Sequence, residues 1–212
     1  MFSWLQPPRV PMVIAHRGYS LHAPENTLAA FRQAMDAGAD AIELDVRLSR
    51  DGHVVVFHDK RLDRKTDGTG SIENRTLEEL MRLTVVQGPG TRGTRGKIPA
   101  LAEVLDLVGT RAGLNIEIKT DRRSRHRRVD IIERCCELVT VRRAEPVVLF
   151  TSFDHRLIRE LKRRFPEMNA GLLFHPLKRV GRSTVALAER LKAQYVIFSG
   201  TSLRKYAVGR AH

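Results

Sequence analysis

Two histidines, two basic residues and three carboxylates stand at the ends of short apolar runs in this sequence, and such a set could handle a phosphate ester. His16 and Arg17 follow the run Met12–Ala15, and Glu43 and Asp45 punctuate Ala41–Val46. His58, with Asp59 behind it, ends Val54–His58, and Glu117 with Lys119 ends Leu114–Ile118. Polar groups inside otherwise apolar strands are costly unless paired or coordinated. Strand side chains alternate between faces, so Glu43 and Asp45 project to one side, as do Glu117 and Lys119. Three carboxylates converging from two strands offer oxygen donors to a hard divalent cation, Mg²⁺ or Ca²⁺ rather than Zn²⁺. Arg17 and Lys119 add positive charge that favours a phosphoryl group through charge-assisted hydrogen bonds. His16 and His58 have unperturbed pKa values near neutrality, so one could take a proton from a nucleophile while the other gives one to a leaving oxygen. Cleavage of a phosphodiester needs such an assembly. Taken singly, a His or a Glu-x-Asp at a strand end is more often a capping or salt-bridging group. Their coincidence at the same end of four consecutive strands is what favours chemistry.

The elements that must position these groups follow from periodicity. Further strand-like runs are Val147–Thr151, Ala170–Phe174 and Tyr195–Phe198, and stretches of helical period lie between the runs. Leu28, Phe31, Ala34 and Met35 mark one apolar helix face, with Asn26 as its expected N-cap. Leu157, Ile158 and Leu161 mark a second face, and Val185, Leu187, Ala188 and Leu191 a third. This alternation is that of βα units around a parallel sheet, where polar groups at the carboxyl ends of strands form the active site. Asp45 and Val54 are too close for a helical crossover, and Arg50-Asp51-Gly52 reads as a tight turn. The second unit is therefore irregular. Lys60 to Pro99 is the opposite case, a long Gly-rich, basic stretch with one short helix expected around Leu77–Leu83.

Composition bounds the rest. The chain has 212 residues, 42% of them hydrophobic, enough for one domain (residues 1–212) with a sizeable core. No run approaches the roughly 18 apolar residues of a membrane span. Phe2, Trp4 and Leu5 form an apolar patch that Pro7, Pro8 and Arg9 interrupt before a signal-peptide core could form. Cys135 and Cys136 are adjacent in a helical pattern, poorly placed to pair, and read as small side chains at a helix surface or core edge. A reducing, cytoplasmic location is the expectation. The net charge of +13 draws anions, and much of it sits in the run Arg122 to Arg128, with smaller clusters at Arg142-Arg143 and Lys162-Arg163-Arg164. Such runs are usually solvated faces. The expected partner is a small anionic substrate, with weak contact to an anionic membrane surface and no nucleic acid.

Several ordered stretches carry a specific resemblance. Ile14-Ala15-His16-Arg17-Gly18, Pro24-Glu25-Asn26-Thr27, Glu43-Leu44-Asp45-Val46, Asp51-Gly52, Val55-Val56-Phe57-His58-Asp59 and Thr66-Asp67-Gly68 are similar to the signature of the glycerophosphodiester phosphodiesterase family. Ile98-Pro99 with Leu101 and Glu103, then Glu117-Ile118-Lys119 and Ser152-Phe153 continue it, over about residues 12–198. The resemblance implies a TIM-type (β/α) barrel with an insertion after the third strand, the Lys60 to Pro99 stretch. It implies Glu43, Asp45 and Glu117 as metal ligands, His16 and His58 as the acid/base pair, and Arg17 and Lys119 as the phosphate-binding residues. The implied reaction hydrolyses glycerophosphodiesters, such as glycerophosphocholine or glycerophosphoethanolamine, to glycerol 3-phosphate and an alcohol. The nucleophile would be either the substrate's own glycerol hydroxyl, by way of a cyclic phosphate, or water. Alternatives are a related phosphodiesterase acting on lysophospholipids, or a non-catalytic barrel that binds anions or membrane surfaces.

A complete barrel of this type takes about 250 residues and eight strands. Only seven candidate strands are found here, and Ser199 to His212 offers no eighth. The fold expected is α/β, a TIM-type barrel lacking its last strand and helix. Either its stability is reduced, or the tail or a second chain covers the gap between Met12–Ala15 and Tyr195–Phe198.

Overall fold

The computed structural model describes residues 2–86, 94–120, 125–175 and 182–198. All seven candidate runs are strands of one sheet: β1 (Ile14–His16), β2 (Ala41–Leu48), β3 (Val54–Val56), β6 (Gly113–Ile118), β7 (Val148–Ser152), β8 (Asn169–Phe174) and β9 (Tyr195–Phe198). Six of them lie parallel in the order β1-β2-β6-β7-β8-β9. Each parallel strand lies beside the preceding one, so the winding never reverses direction as it does in a doubly wound sheet. That winding belongs to a TIM-type α/β barrel. Among the described residues β1 and β9 form the two ends of the sheet, and Val13 and Ile14 at the β1 end are 55% and 41% exposed. The Ser199 to His212 tail lies outside the described residues.

The helices are α1 (Leu28–Asp36), α2 (Leu77–Arg82), α3 (Leu101–Val108), α4 (Arg125–Val141), α5 (His155–Arg164) and α6 (Arg182–Leu191). Thr27 caps α1 by accepting the Ala30 amide, and Ala30, Phe31 and Ala34 turn inward. Asn26, the expected cap, is one residue too early and has another use, described below. The core between sheet and helices takes Ile42, Leu44 and Val46 from β2, Leu114 and Ile116 from β6, and Leu157, Ile158 and Leu161 from α5. Cys135 and Cys136 are both buried in α4, where burial pushes the Cys136 thiol up to about 12. They belong to the core rather than to a surface. Phe2 and Trp4 are buried as well: the Trp4 indole donates to the Val147 carbonyl at 2.8 Å and meets Tyr195 edge-on at 5.8 Å. The amino-terminal apolar patch thus seals the floor of the sheet near the starts of β7 and β9.

One expectation is corrected. β3 runs antiparallel to β2 and is no stave of the barrel, because β2 pairs directly with β6. The short Arg50-Asp51-Gly52 connection permits only a hairpin, with Gly52 at φ 81° in its turn. The hairpin extends β2 past the rim of the barrel, and β3 returns the chain to it, where the Phe57 amide donates to the Asp45 carbonyl at 2.8 Å. The insertion that follows has its own small core of Val55, Phe57, Leu62, Ile72, Leu80, Val85 and Ile98. It contains the expected short helix α2, closed at its start by a Thr76/Glu79 capping box, and a two-stranded ribbon of β4 (Thr84–Val86) and β5 (Arg95–Lys97) that the sequence did not suggest.

Candidate active site

Strand register brings the singled-out residues together. His16 on β1 pairs with Glu43 on β2, and Asp45 pairs with Glu117 on β6. The three carboxylates are buried, and one ligand atom of each lies within 4.8 Å of the others, a group able to hold a metal ion. His16 Nε2 stands 3.8 Å from Glu43, and its side chain is 71% exposed. Arg17 takes a left-handed φ of 58°, and Gly18 beside it packs so tightly on α1 that an added Cβ would lie 2.8 Å from the Ala30 backbone. This turn sends Arg17 back over β2. Its amide donates to Glu43 Oε2 at 3.1 Å, and its Nε stands 3.2 Å from Asp45 Oδ2. Lys119 Nζ donates to Glu117 Oε1 and lies 3.0 Å from Asp45 Oδ1.

Charge in this cluster is unevenly compensated. Burial raises the Asp45 pKa, but Lys119 and Arg17 outweigh it and hold the carboxyl below its ordinary value. Glu43 is pushed up to about 8 by burial and by the neighbouring Asp45 and Glu117 carboxylates. Burial also raises Glu117, against the pull of Lys119. Asp45 Oδ1 and Arg17 Nε, although each faces an opposite charge, make no hydrogen bond. A buried carboxylate oxygen with an unused lone pair, among carboxylates that resist ionising together, fits a divalent cation as the group these residues would hold.

His58 reaches the same place by a different route, from the returning hairpin strand. Its Nδ1 lies 2.7 Å from Asp59 Oδ1, a contact that does not engage Nε2. Arg64 grips Asp59 through two bonds of 2.9 and 3.0 Å. Burial works against ionisation of Asp59, yet the Arg64 and His58 bonds prevail and its pKa falls to about 2. Arg47, whose own pKa is lowered by burial, donates from Nε and Nη2 to the His58 carbonyl at 2.9 and 2.7 Å. All seven residues chosen from the sequence therefore converge, although His58 lies in the loop that follows the antiparallel β3, close enough for its charge to act on Asp45 and Glu117.

Two further residues of the Pro24-Glu25-Asn26-Thr27 motif join the site, Glu25 with no role expected and Asn26 in place of its expected helix cap. Asn26, with φ 59°, is buried and donates from its amide to Asp45 Oδ2 at 2.9 Å, while accepting the Asp45 backbone amide at 3.3 Å. Glu25 accepts from Arg17 at 3.1 Å and from Lys65 of the insertion at 3.2 Å. The run Pro24-Glu25-Asn26-Thr27 was the available signal. The basic run is partly resolved in character: residues 121–124 and the side chains of 125–127 lie outside the described set, and Arg128 is buried against Asp154 at 2.9 Å. Arg128 is a structural ion pair and not a solvated capture site.

The model of the glycerophosphoryl diester phosphodiesterase family matches residues 16–203. A glycerophosphodiester phosphodiesterase of Caldanaerobacter subterraneus subsp. tengcongensis is 42% identical over 164 residues, 77% of this chain and 66% of that protein. One from Bacillus altitudinis is 37% identical, and the match covers 76% of this chain and 65% of that relative, so the chain spans about two thirds of the length of these proteins. Among solved structures, an Oleispira antarctica phosphodiesterase in complex with the product sn-glycerol-3-phosphate superposes with a TM-score of 0.83 at 30% identity, over 95% of this chain and 80% of that one. The match runs through the strands that carry His16, Glu43, Asp45, His58, Glu117 and Lys119, and with it the chain belongs to the glycerophosphoryl diester phosphodiesterase family.

Proposed function

We propose that this chain is a catalytic domain that hydrolyses glycerophosphodiesters to glycerol 3-phosphate and an alcohol. The observation that carries the reading is the convergence of three buried carboxylates, two cations and two histidines on one end of the sheet. A divalent cation, Mg²⁺ or Ca²⁺, held by Glu43, Asp45 and Glu117, would supply positive charge to the phosphoryl oxygens. Arg17 and Lys119 bind the same phosphoryl group, and each is already oriented by Asp45. Asn26 and Glu25 hold Asp45 and Arg17 in place. Of the two histidines, one takes the proton of the attacking hydroxyl and the other protonates the departing oxygen. Asp59 fixes the His58 ring for its part. In balance, the P–O bond to the alcohol breaks, water supplies the new oxygen on phosphorus, and the alcohol leaves with a proton.

Among the described residues no helix is long and apolar enough to cross a membrane. The proposed substrate is a small deacylated diester, and the proposed place of action is the cytoplasm, where the buried Cys135 and Cys136 stay reduced. The test is product analysis on glycerophosphocholine and lysophosphatidylcholine with added Mg²⁺ or Ca²⁺ and with chelator. Release of glycerol 3-phosphate from the first substrate, abolished by chelator and by Glu43→Gln, is the expected result. Full activity in excess chelator would remove the metal assignment. Turnover of lysophosphatidylcholine alone would move the substrate class to intact lysolipids.

A further inference from the structure

Glu43, Asp45 and Arg47 occupy alternate positions of β2, so one face of one strand carries all three. Two belong to the carboxylate cluster, and the third reaches the backbone of His58. Arg47 is half-buried, and burial lowers its pKa against the pull of Asp45, Asp59, Glu73 and Glu117. A guanidinium withdrawn from water usually forms a forked pair with a carboxylate. Here both donors of the fork, Nε at 2.9 Å and Nη2 at 2.7 Å, go to a single backbone oxygen, the His58 carbonyl.

That carbonyl lies in the peptide plane between His58 and Asp59, and the plane sets ψ of the first residue and φ of the second. In extended chain, consecutive side chains point to opposite faces and do not meet. His58 and Asp59 are consecutive, yet Nδ1 and Oδ1 are 2.7 Å apart, at a bend just past β3. The bend is what lets Asp59 hold the imidazole. Arg64 holds the Asp59 carboxylate on one side of it, and on the other the Phe57 amide ties the preceding residue to the Asp45 carbonyl. The peptide plane between them is held by Arg47, from a strand that pairs with β6 up to Val46 and with β3 beyond it. We propose that Arg47 is a positioning residue for the hydrolysis: by fixing the His58–Asp59 peptide it directs the His58 ring toward the carboxylate cluster. The inference rests on the hydrolytic reading above. β2 then acts as a ruler, with Asp45 and Arg47 roughly 7 Å apart along one face, so that the carboxylates and the acid/base group keep their separation. A lysine would keep the charge, but its point donor on a flexible stem does not grip a carbonyl from two directions.

The direction of the ring matters when the proton moves, so kcat carries the effect rather than KM. Arg47→Met should lower kcat on glycerophosphocholine by about 100-fold, the loss expected from a misplaced acid/base group, with KM within about 3-fold. Arg47→Lys should lose about 10-fold, and it decides the matter if the Met variant does not fold. In an Asp59→Asn background the ring is already loose, and the same substitutions should cost less than about 3-fold more. A kcat within about 3-fold of wild type in the folded variants, or an undiminished further loss in the Asp59→Asn background, would overturn the inference. Long-range proton–nitrogen NMR of the His58 ring, at a pH where it is neutral, reads the same contact without turnover. The Nδ1–H tautomer is expected in the wild type and a mixture of tautomers in the Arg47 variants. A ring that neither variant alters would overturn the positioning role. An Arg47-dependent tautomer in a protein that hydrolyses no diester would support that role and sink the hydrolytic reading instead.

Discussion

The barrel strands and the insertion each supply part of the candidate site, and they hold their residues by different means. Glu43, Asp45 and Glu117 project from β2 and β6, whose ladder runs unbroken from Ala41 to Val46 and sits over fully buried Ile42, Leu44, Leu114 and Ile116. Positions there are set by sheet register. The insertion rests on a small separate core and joins the barrel through the β2–β3 hairpin, a Val55–Ala100 bridge, the Lys65–Glu25 pair and the close contact of Gly96 on Thr27. A small core of its own makes a region that opens without the rest. The lesson is that the carboxylate cluster and the His58 side should fail separately, and each prediction below tests that separation.

The largest effect is expected in the barrel. Asp45 is fully buried and is the carboxylate that Arg17 and Lys119 share, so Asp45→Asn removes one partner from each of two partly buried cations, at a cost of about 3 kcal/mol. Urea unfolding and turnover should both collapse. Retained stability would mean that the pair is solvated and that register does not hold the cluster.

Next comes Leu80→Ala in the insertion core, where Leu80 is fully buried and truncation costs about 2–5 kcal/mol. Hydrogen exchange should show lost protection at insertion amides while β6 and β7 amides keep theirs. A single cooperative loss across both regions would break the comparison. Lys65→Met is milder. The Lys65–Glu25 pair is about one-fifth exposed on each side and contributes about 1 kcal/mol or less, so stability should barely move. Because Glu25 also orients Arg17, kcat/KM should fall by a few-fold, about the effect of a loosened positioning contact.

The smallest effects lie in acid. Asp59 has a folded pKa of about 2 against an ordinary 3.8, so its contribution is full above 3.8 and is lost as pH falls through 2. Glu160 on α5, bonded to Arg163 and Arg164, likewise falls to about 2 from 4.5. Asp59→Asn should flatten the acid stability profile in that window through the insertion, and Glu160→Gln should do so through a barrel helix. Both changes are read as chemical denaturation midpoints against pH. An unchanged profile in Asp59→Asn would show that Arg64 does not hold the carboxylate in solution.

Much of this was legible in the chain itself. A spacing of two residues put Glu43 with Asp45 and Glu117 with Lys119 on shared faces, because side chains in a strand alternate whatever the strand packs against. The seven apolar runs, the α2 helix and the irregular second unit were recognisable for similar local reasons. Apolar content marked Phe2 and Trp4 as a patch, but only their packing on Val147 and Tyr195 revealed a floor to the sheet. The β4–β5 ribbon left no signal because Arg95-Gly96-Lys97 contains no apolar residue to mark a strand opposite Thr84–Val86.

Sequence by itself therefore determined which residues share a face and that the polar ones stand at strand ends, since those properties depend on neighbours one or two positions away. Tertiary structure decided the pairing of β2 with β6 in place of β3, the diversion of Asn26 from helix cap to partner of Asp45, and the unequal ionisation of Glu43 and Asp45. Each of those depends on groups distant in the chain. A strand's second neighbour is fixed by how the whole sheet is wound, and a carboxyl's pKa by the water and charges around it, neither of which is local in sequence.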